Sequence, residues 1–232
     1  MAPIQIGFLI FTVAGPILLW VLSRHLESRR FARWICWTFA GALVAAWAGT
    51  VVVRLRDDGF DSRYLLPMHL CDWALIATVI ALMLRWQTCF ELAYFWGIAG
   101  TAQALITPAV DTTTACRVFG FFVVHSVIPA SVLWLMFEMK MRPLRGAYVR
   151  VFLWSEVYLA VALLVNAGTG ANYGFLRERP GIHSLLDFFS DTHWLYVLQI
   201  NLTGLFFFLL LDLPWQFARR REAARTRSVV VV

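Results

Sequence analysis

Seven nearly uninterrupted apolar stretches, each about twenty residues long, recur along this 232-residue chain. They run over 4–22, 34–53, 67–84, 89–108, 118–139, 149–168 and 194–214. An α-helix rises 1.5 Å per residue and needs about 20 residues to cross a hydrocarbon core. Within that core every backbone N–H and C=O must be satisfied inside the segment, which leaves helices as the fold for such stretches. The fourth and sixth are the least clean, because they carry Glu91 and Glu156. The sequence therefore predicts an all-α, polytopic membrane protein: a single seven-transmembrane-helix bundle spanning 1–232. Sixty percent of the residues are hydrophobic and 15% charged. That balance argues against a soluble enzyme, a secreted disulfide scaffold and a nucleic-acid binder. The first stretch has no charged n-region and no small-residue cleavage site after it, so it reads as the first membrane helix.

Most connections are short, which makes sequential helices antiparallel neighbours. The exception is the 25-residue segment 169–193, which carries its own apolar residues. Basic residues sort the connections by side. With seven spans, 14 of the 20 Lys and Arg fall in the 23–33, 85–88 and 140–150 loops and in the basic tail 216–232. The other six (Arg54, Arg56, Arg63, Arg117, Arg177, Arg179) lie on the opposite side. Positive charge marks the cytoplasmic face. The expected topology is N-terminus out and C-terminus in. Small residues at i, i+4, i+8 (Gly41, Ala45, Gly49) and the pairs Gly97/Thr101 and Gly100/Ala104 predict close helix–helix contacts.

With that topology, polar residues from five helices share the outer half of the bilayer. They are His69, Cys71 and Asp72 on the third helix, Gln103 and Thr107 on the fourth, and His125 and Ser126 on the fifth. Asn166 ends the sixth, and His193, Gln199 and Asn201 begin the seventh. Intramembrane polar groups face the bundle interior, so together they predict a polar chamber. Cys71 with His125 is its sharpest pairing, because a thiol attacks as the thiolate and an imidazole can take its proton. Three other readings stay open at this level: Cys71 as a small buried hydrophobe, a Cys71–Cys116 disulfide, and zinc held by His69, His125 and His193. The usual zinc spacings are absent, so no metal is assigned. Cys36 and Cys89 lie toward the other face and read as inert. Asp72, three residues from His69, is placed to orient that ring or to pair with His125. A retinal Schiff base is excluded, since Lys140 is the only lysine and lies in a loop.

The run Leu66-Pro67-Met68-His69-Leu70-Cys71-Asp72 resembles the bacterial YwaF-type integral membrane proteins and their eukaryotic relative, transmembrane protein 164. The resemblance continues through Gly97–Pro108, Phe122-Val123-Val124-His125, Asn172-Tyr173-Gly174-Phe175-Leu176 with Pro180, and Ser184-Leu185-Leu186-Asp187. It covers roughly 60–215. The chain departs from the family pattern after Asp187, where Phe188–His193 replace a Gly/Pro/Trp-rich turn. The resemblance implies a seven-helix fold and a lipid acyltransferase or acyl-ester hydrolase, with Cys71 as nucleophile and His125 as base. It brings Asn172 and Tyr173 in as supporting residues.

In that reading Gln103, Thr107 and Asn166 donate to an oxyanion. Arg177 and Arg179 hold lipid phosphate, and 169–193 forms a lid. The expected partners are membrane lipids, with a phospholipid or lysophospholipid as substrate and no nucleic acid. No cofactor is expected, and the location is a bacterial cytoplasmic membrane. Two other classes fit the same chamber. One is a small-molecule or proton-coupled transporter or channel with Asp72, His125 and Glu156 as relays. The other is a non-catalytic membrane subunit.

Overall fold

The fold is taken from a computed structural model, which describes residues 3–108, 114–181 and 184–230. The first two residues and the last two of the tail lie outside that description. Seven long helices follow one another: α1 (Pro3–Leu26), α2 (Arg29–Asp57), α3 (Leu70–Leu84), α4, α5 (Ala115–Phe137), α6 (Ala147–Thr169) and α7 (His193–Val230). The fourth, α4, is built in three pieces: Gln87–Trp96, a π-helical turn Gly97–Thr101, and a last α-turn Ala102–Ile106. Two short 3₁₀ turns, Tyr173–Phe175 and Leu185–Phe188, lie between α6 and α7. No strand occurs among the described residues. Five of the helices are long and apolar enough to span a membrane by themselves, and Leu70–Leu84 is a shorter apolar helix. With α4 they make the seven-helix bundle expected from the hydropathy pattern.

Helices α1 and α2 run up to five residues beyond their apolar stretches, and two further boundaries differ for a local reason. The third helix begins at Leu70 instead of 67, because His69 is its extended N-cap (ψ 151°) and Pro67 precedes it. A helix entry needs such a non-helical residue. The seventh helix continues past 214 through Val230. The segment after Pro214 is rich in Arg and Ala, both strong helix formers, so it stays helical after its apolar content ends.

Helix α5 is the centre of the bundle. From Val124 to Val132 every one of its residues is buried, and α1, α2, α3 and α4 pack around it. Helices α6 and α7 flank this group, with a smaller cluster of Tyr158, Ala162 and Leu176 beneath them. The outward faces carry Leu18, Val52, Leu153, Leu164 and Leu202, all exposed. Such faces suit lipid, which supplies no hydrophobic drive between helices and leaves association to close fit and hydrogen bonds.

The close fit falls at two glycines. A methyl group at Gly97 would meet Ile128 Cγ2 at 2.7 Å, and one at Gly120 would collide with Thr50 Oγ1. By contrast, nothing lies within 4 Å of the Cβ positions of Gly41 and Gly49. Gly41 and Ala45 are exposed, so the stripe expected to make a contact on α2 faces outward instead. Gly97 opens the π turn, and the Thr101 hydroxyl donates back to the Gly97 carbonyl. One extra residue in that turn re-aims the end of α4.

At the end of the bundle where α4 begins, Glu91 is fully buried. Its carboxylate accepts from Arg150 at 2.7 Å, from the Leu144 amide at 3.0 Å and from Gln87 at 3.0 Å. Asp212 is likewise buried and paired with Arg219 at 3.1 Å. The charged interruptions of the apolar stretches at this end are therefore satisfied ion pairs joining α4 to α6 and closing α7 on itself.

We expect Gly97→Val to lower stability by about 1–3 kcal/mol through overpacking against Ile128. Thermal unfolding in mild detergent of Gly97→Val, Ile128→Ala and the double variant measures this. Fully additive losses would show that the two residues are not in tight contact.

Candidate functional site

At the opposite end, where α3, α5 and α7 begin, neutral hydrogen-bonding groups seat the loop after α6. The 3₁₀ turn after α6 is seated there by Tyr173, which is completely buried. Its hydroxyl donates to the Ser62 carbonyl at 2.7 Å and accepts from the Leu66 amide at 3.0 Å. Burial pushes this phenol above its ordinary pKa, which keeps it a neutral donor. Asn166 at the end of α6 grips the same residue twice. Its amide donates to the Tyr173 carbonyl at 2.9 Å, and its oxygen accepts from the Tyr173 amide at 2.8 Å. Gly174 follows with φ +67°, and an added methyl there would lie 2.6 Å from the Tyr158 hydroxyl. Only glycine lets the loop come down this far.

The loop comes down on the start of α3. The Gly174 amide donates to His69 Nδ1 at 3.4 Å, and the His69 ring meets Tyr173 edge-on at 5.1 Å between centroids. Tyr158 donates to the Met68 carbonyl at 3.1 Å. Asp72 takes the His69 backbone amide at 3.0 Å, so its carboxylate caps α3. It does not bond the His69 ring, and Trp47 and Arg54 also lie within its interaction range. Cys71 occupies the second position of α3, half-buried and unoxidised.

His125 lies on α5, 7% exposed. Its Nδ1 is 2.8 Å from the Phe121 carbonyl, and the ring stacks on Phe121 at 4.1 Å. A carbonyl only accepts, so Nδ1 carries the proton and Nε2 keeps its lone pair. Two contacts of α4 fix the depth of this ring. Gly97 faces Ile128, and a methyl at Gly100 would face Leu70 Cδ2 at 3.8 Å. Because α4 and α5 are antiparallel, His125, about one turn before Ile128, shares the level of Gly100 and hence of Leu70 and Cys71. His69 and His125 are close enough to interact electrostatically.

The remaining residues singled out from the sequence divide by what they already hold. Asn166 is engaged by Tyr173. Asn172 folds its own turn, accepting from Arg177 and Glu178 amides at 2.9 and 3.3 Å and donating to the Glu178 carbonyl at 2.9 Å. Thr107 is exposed and bonds back to Gln103 at 3.2 Å. Gln103 is half-buried, and its amide has no protein partner among the described residues. Arg179 donates to the Phe189 carbonyl and pairs with Asp191 at 2.8 Å. Arg177 is exposed. His193 bonds the Leu176 carbonyl at 2.9 Å. All four cysteines are free, so Cys71 and Cys116 are not bridged. No three potential metal ligands converge among the described residues.

Three residues near Cys71 had drawn no attention in the sequence. Tyr158 looked like one more aromatic in an apolar span, Trp47 likewise, and Arg54 like an end-of-span charge. Arg54 donates to the Tyr64 carbonyl at 2.7 Å and acts on His69, Cys71 and Asp72. Only the loop pairing revealed by the fold connects them to the site.

Seven helices around a central α5, with a loop-covered polar site at one end, define an integral membrane protein. This chain belongs to the TMEM164 family, whose sequence pattern matches residues 2–211. It is similar to an uncharacterized protein of Treponema pallidum (strain Nichols), 27% identical over 187 residues that cover 76% of each chain. No solved structure matches it.

Asn166→Ala leaves the buried Tyr173 amide without a partner and its carbonyl with only the Leu176 amide at 3.4 Å. We expect a loss of about 1–3 kcal/mol and faster hydrogen exchange across 171–176. Unchanged exchange there would show that Asn166 does not hold the loop.

Proposed function

We propose that this TMEM164-family protein is a membrane-embedded lipid acyltransferase or acyl-ester hydrolase that works through Cys71 and His125. The observation that carries the reading is their shared depth. The Cys71 thiol in the first turn of α3 lies level with an imidazole whose Nδ1–H is fixed on the Phe121 carbonyl and whose Nε2 has no bond among the described residues. His125 Nε2 takes the Cys71 proton, and the thiolate attacks the carbonyl carbon of an acyl ester. The ester C–O bond breaks, the departing alcohol takes the proton back from His125, and the acyl chain is held as a thioester. His125 then deprotonates the acceptor, the hydroxyl of a lysophospholipid or water. That oxygen displaces Cys71, which recovers its proton. Gln103 is the oxyanion donor of choice among the three named from the sequence, because its amide alone is uncommitted. The substrate is a phospholipid acyl group in a bacterial cytoplasmic membrane. The 169–193 segment covers the site, and the exposed Arg177 meets the headgroup phosphate.

The transport reading finds less support. Its three relay residues bond separate partners: Asp72 the His69 amide, His125 the Phe121 carbonyl, and Glu156 the Asn201 amide at 2.6 Å.

The test is acyl exchange between labelled phospholipid and lysophospholipid by the full chain in proteoliposomes. Cys71→Ser and His125→Ala are each expected to lower the rate at least ~10²-fold, the lower range of general-base contributions. An acyl-thioester adduct at Cys71 should be detectable by mass spectrometry. Full exchange by both variants would refute the assignment.

A further inference from the structure

The end of the bundle away from Cys71 carries a groove that the chemistry above does not use. Arg30, Arg33, Trp34 and Trp37 line about 500 Å³ along the start of α2. Arg33 and Trp37 are shared with an adjoining space of about 510 Å³, which runs over Cys36, Leu82 and Met83 to Arg85 at the end of α3. The two spaces are therefore one groove between α2 and α3. Its α2 wall follows the i, i+3, i+4, i+7 spacing of a single helix face. Trp34 and Trp37 are 70% and 66% exposed. Such tryptophans belong at a membrane–water boundary. Arg30, Arg33 and Arg85 are all exposed and take part in no ion pair among the described residues. No carboxylate lines the groove among the described residues, and Glu138 is the acidic group that acts on Cys36 at its floor. Three guanidinium groups against one carboxylate leave the groove cationic. Its floor is apolar and opens onto the outward faces of the bundle.

We propose that this groove binds the headgroup of an anionic phospholipid. The phosphate sits among Arg30, Arg33 and Arg85, and an acyl chain lies along Leu82 and Met83. Guanidinium forks match phosphate oxygens, and their weak hydration suits a half-desolvated interface. The apolar floor distinguishes a lipid from a free anion. The proposal stands apart from the reading of Cys71, since the two places lie at opposite ends of the bundle.

The test uses the full chain in mild detergent, offered an equimolar mixture of phosphatidylglycerol and phosphatidylcholine, with retained lipid counted by native mass spectrometry. The wild type is expected to retain phosphatidylglycerol with at least about fivefold preference, the scale of one arginine at a membrane surface. Arg30→Gln/Arg33→Gln/Arg85→Gln should abolish the preference. Arg220→Gln/Arg221→Gln, which removes two exposed charges from the same end, should leave it intact. All five side chains are exposed, so the fold is not at risk, and an unchanged unfolding midpoint checks this. Equal retention of the two lipids, a preference that survives the triple variant, or one lost equally in the Arg220/Arg221 variant would overturn the proposal. So would displacement of the lipid by inorganic phosphate in excess, which marks a free-anion site.

Discussion

The approach of α4 to α5 at Gly97 sets the geometry of everything else in the bundle. There is no side chain at that position, and the Ile128 methyl fills the space one would occupy. In a membrane, helices gain little by hiding apolar surface from one another, so closeness of fit decides which faces meet. Once α4 lies against α5 there, the π turn that begins at Gly97 carries the next residues toward α3. Gly100 reaches Leu70, and the first turn of α3 comes level with His125. The level at which His125 meets the first turn of α3 thus traces back to a missing side chain on α4.

The two ends of the bundle solve the same problem differently. At one end, buried carboxylates are neutralised by arginine: Glu91 by Arg150 and Asp212 by Arg219. Removing one partner of such a pair strands a buried charge, which makes these positions rigid. At the other end the contacts are neutral, from Tyr173, Asn166 and Gly174, and they hold a loop instead of joining helices. Neutral bonds can be broken singly at lower cost. The firm end anchors the helices, and the softer end holds the loop between α6 and α7.

Much of this was legible from spacing alone. Seven apolar runs gave seven helices, and Gly97/Thr101 marked a real contact. Gly41, Ala45 and Gly49 carried the same small-residue spacing and mark none, because periodicity identifies a face without saying what it meets. The Cys71 and His125 positions were readable through their motifs. The surroundings were not. Tyr158 and Arg54 reach the start of α3 only because the 62–66 segment and the 172–176 turn interlock, and that interlock joins residues more than a hundred positions apart. Asn166 and Asn172 looked like free amides because sequence shows a polar group without showing what has already claimed it.

His125 is oriented by its own helix. The Phe121 carbonyl fixes its tautomer and the Phe121 ring fixes its plane, both from one turn away. None of the described residues of 177–193 contributes to either. The turn above the site and the imidazole are thus held by separate means: Asn166 seats the 172–176 turn, and Phe121 aims the ring. A change that loosens the turn leaves the orientation of His125 intact.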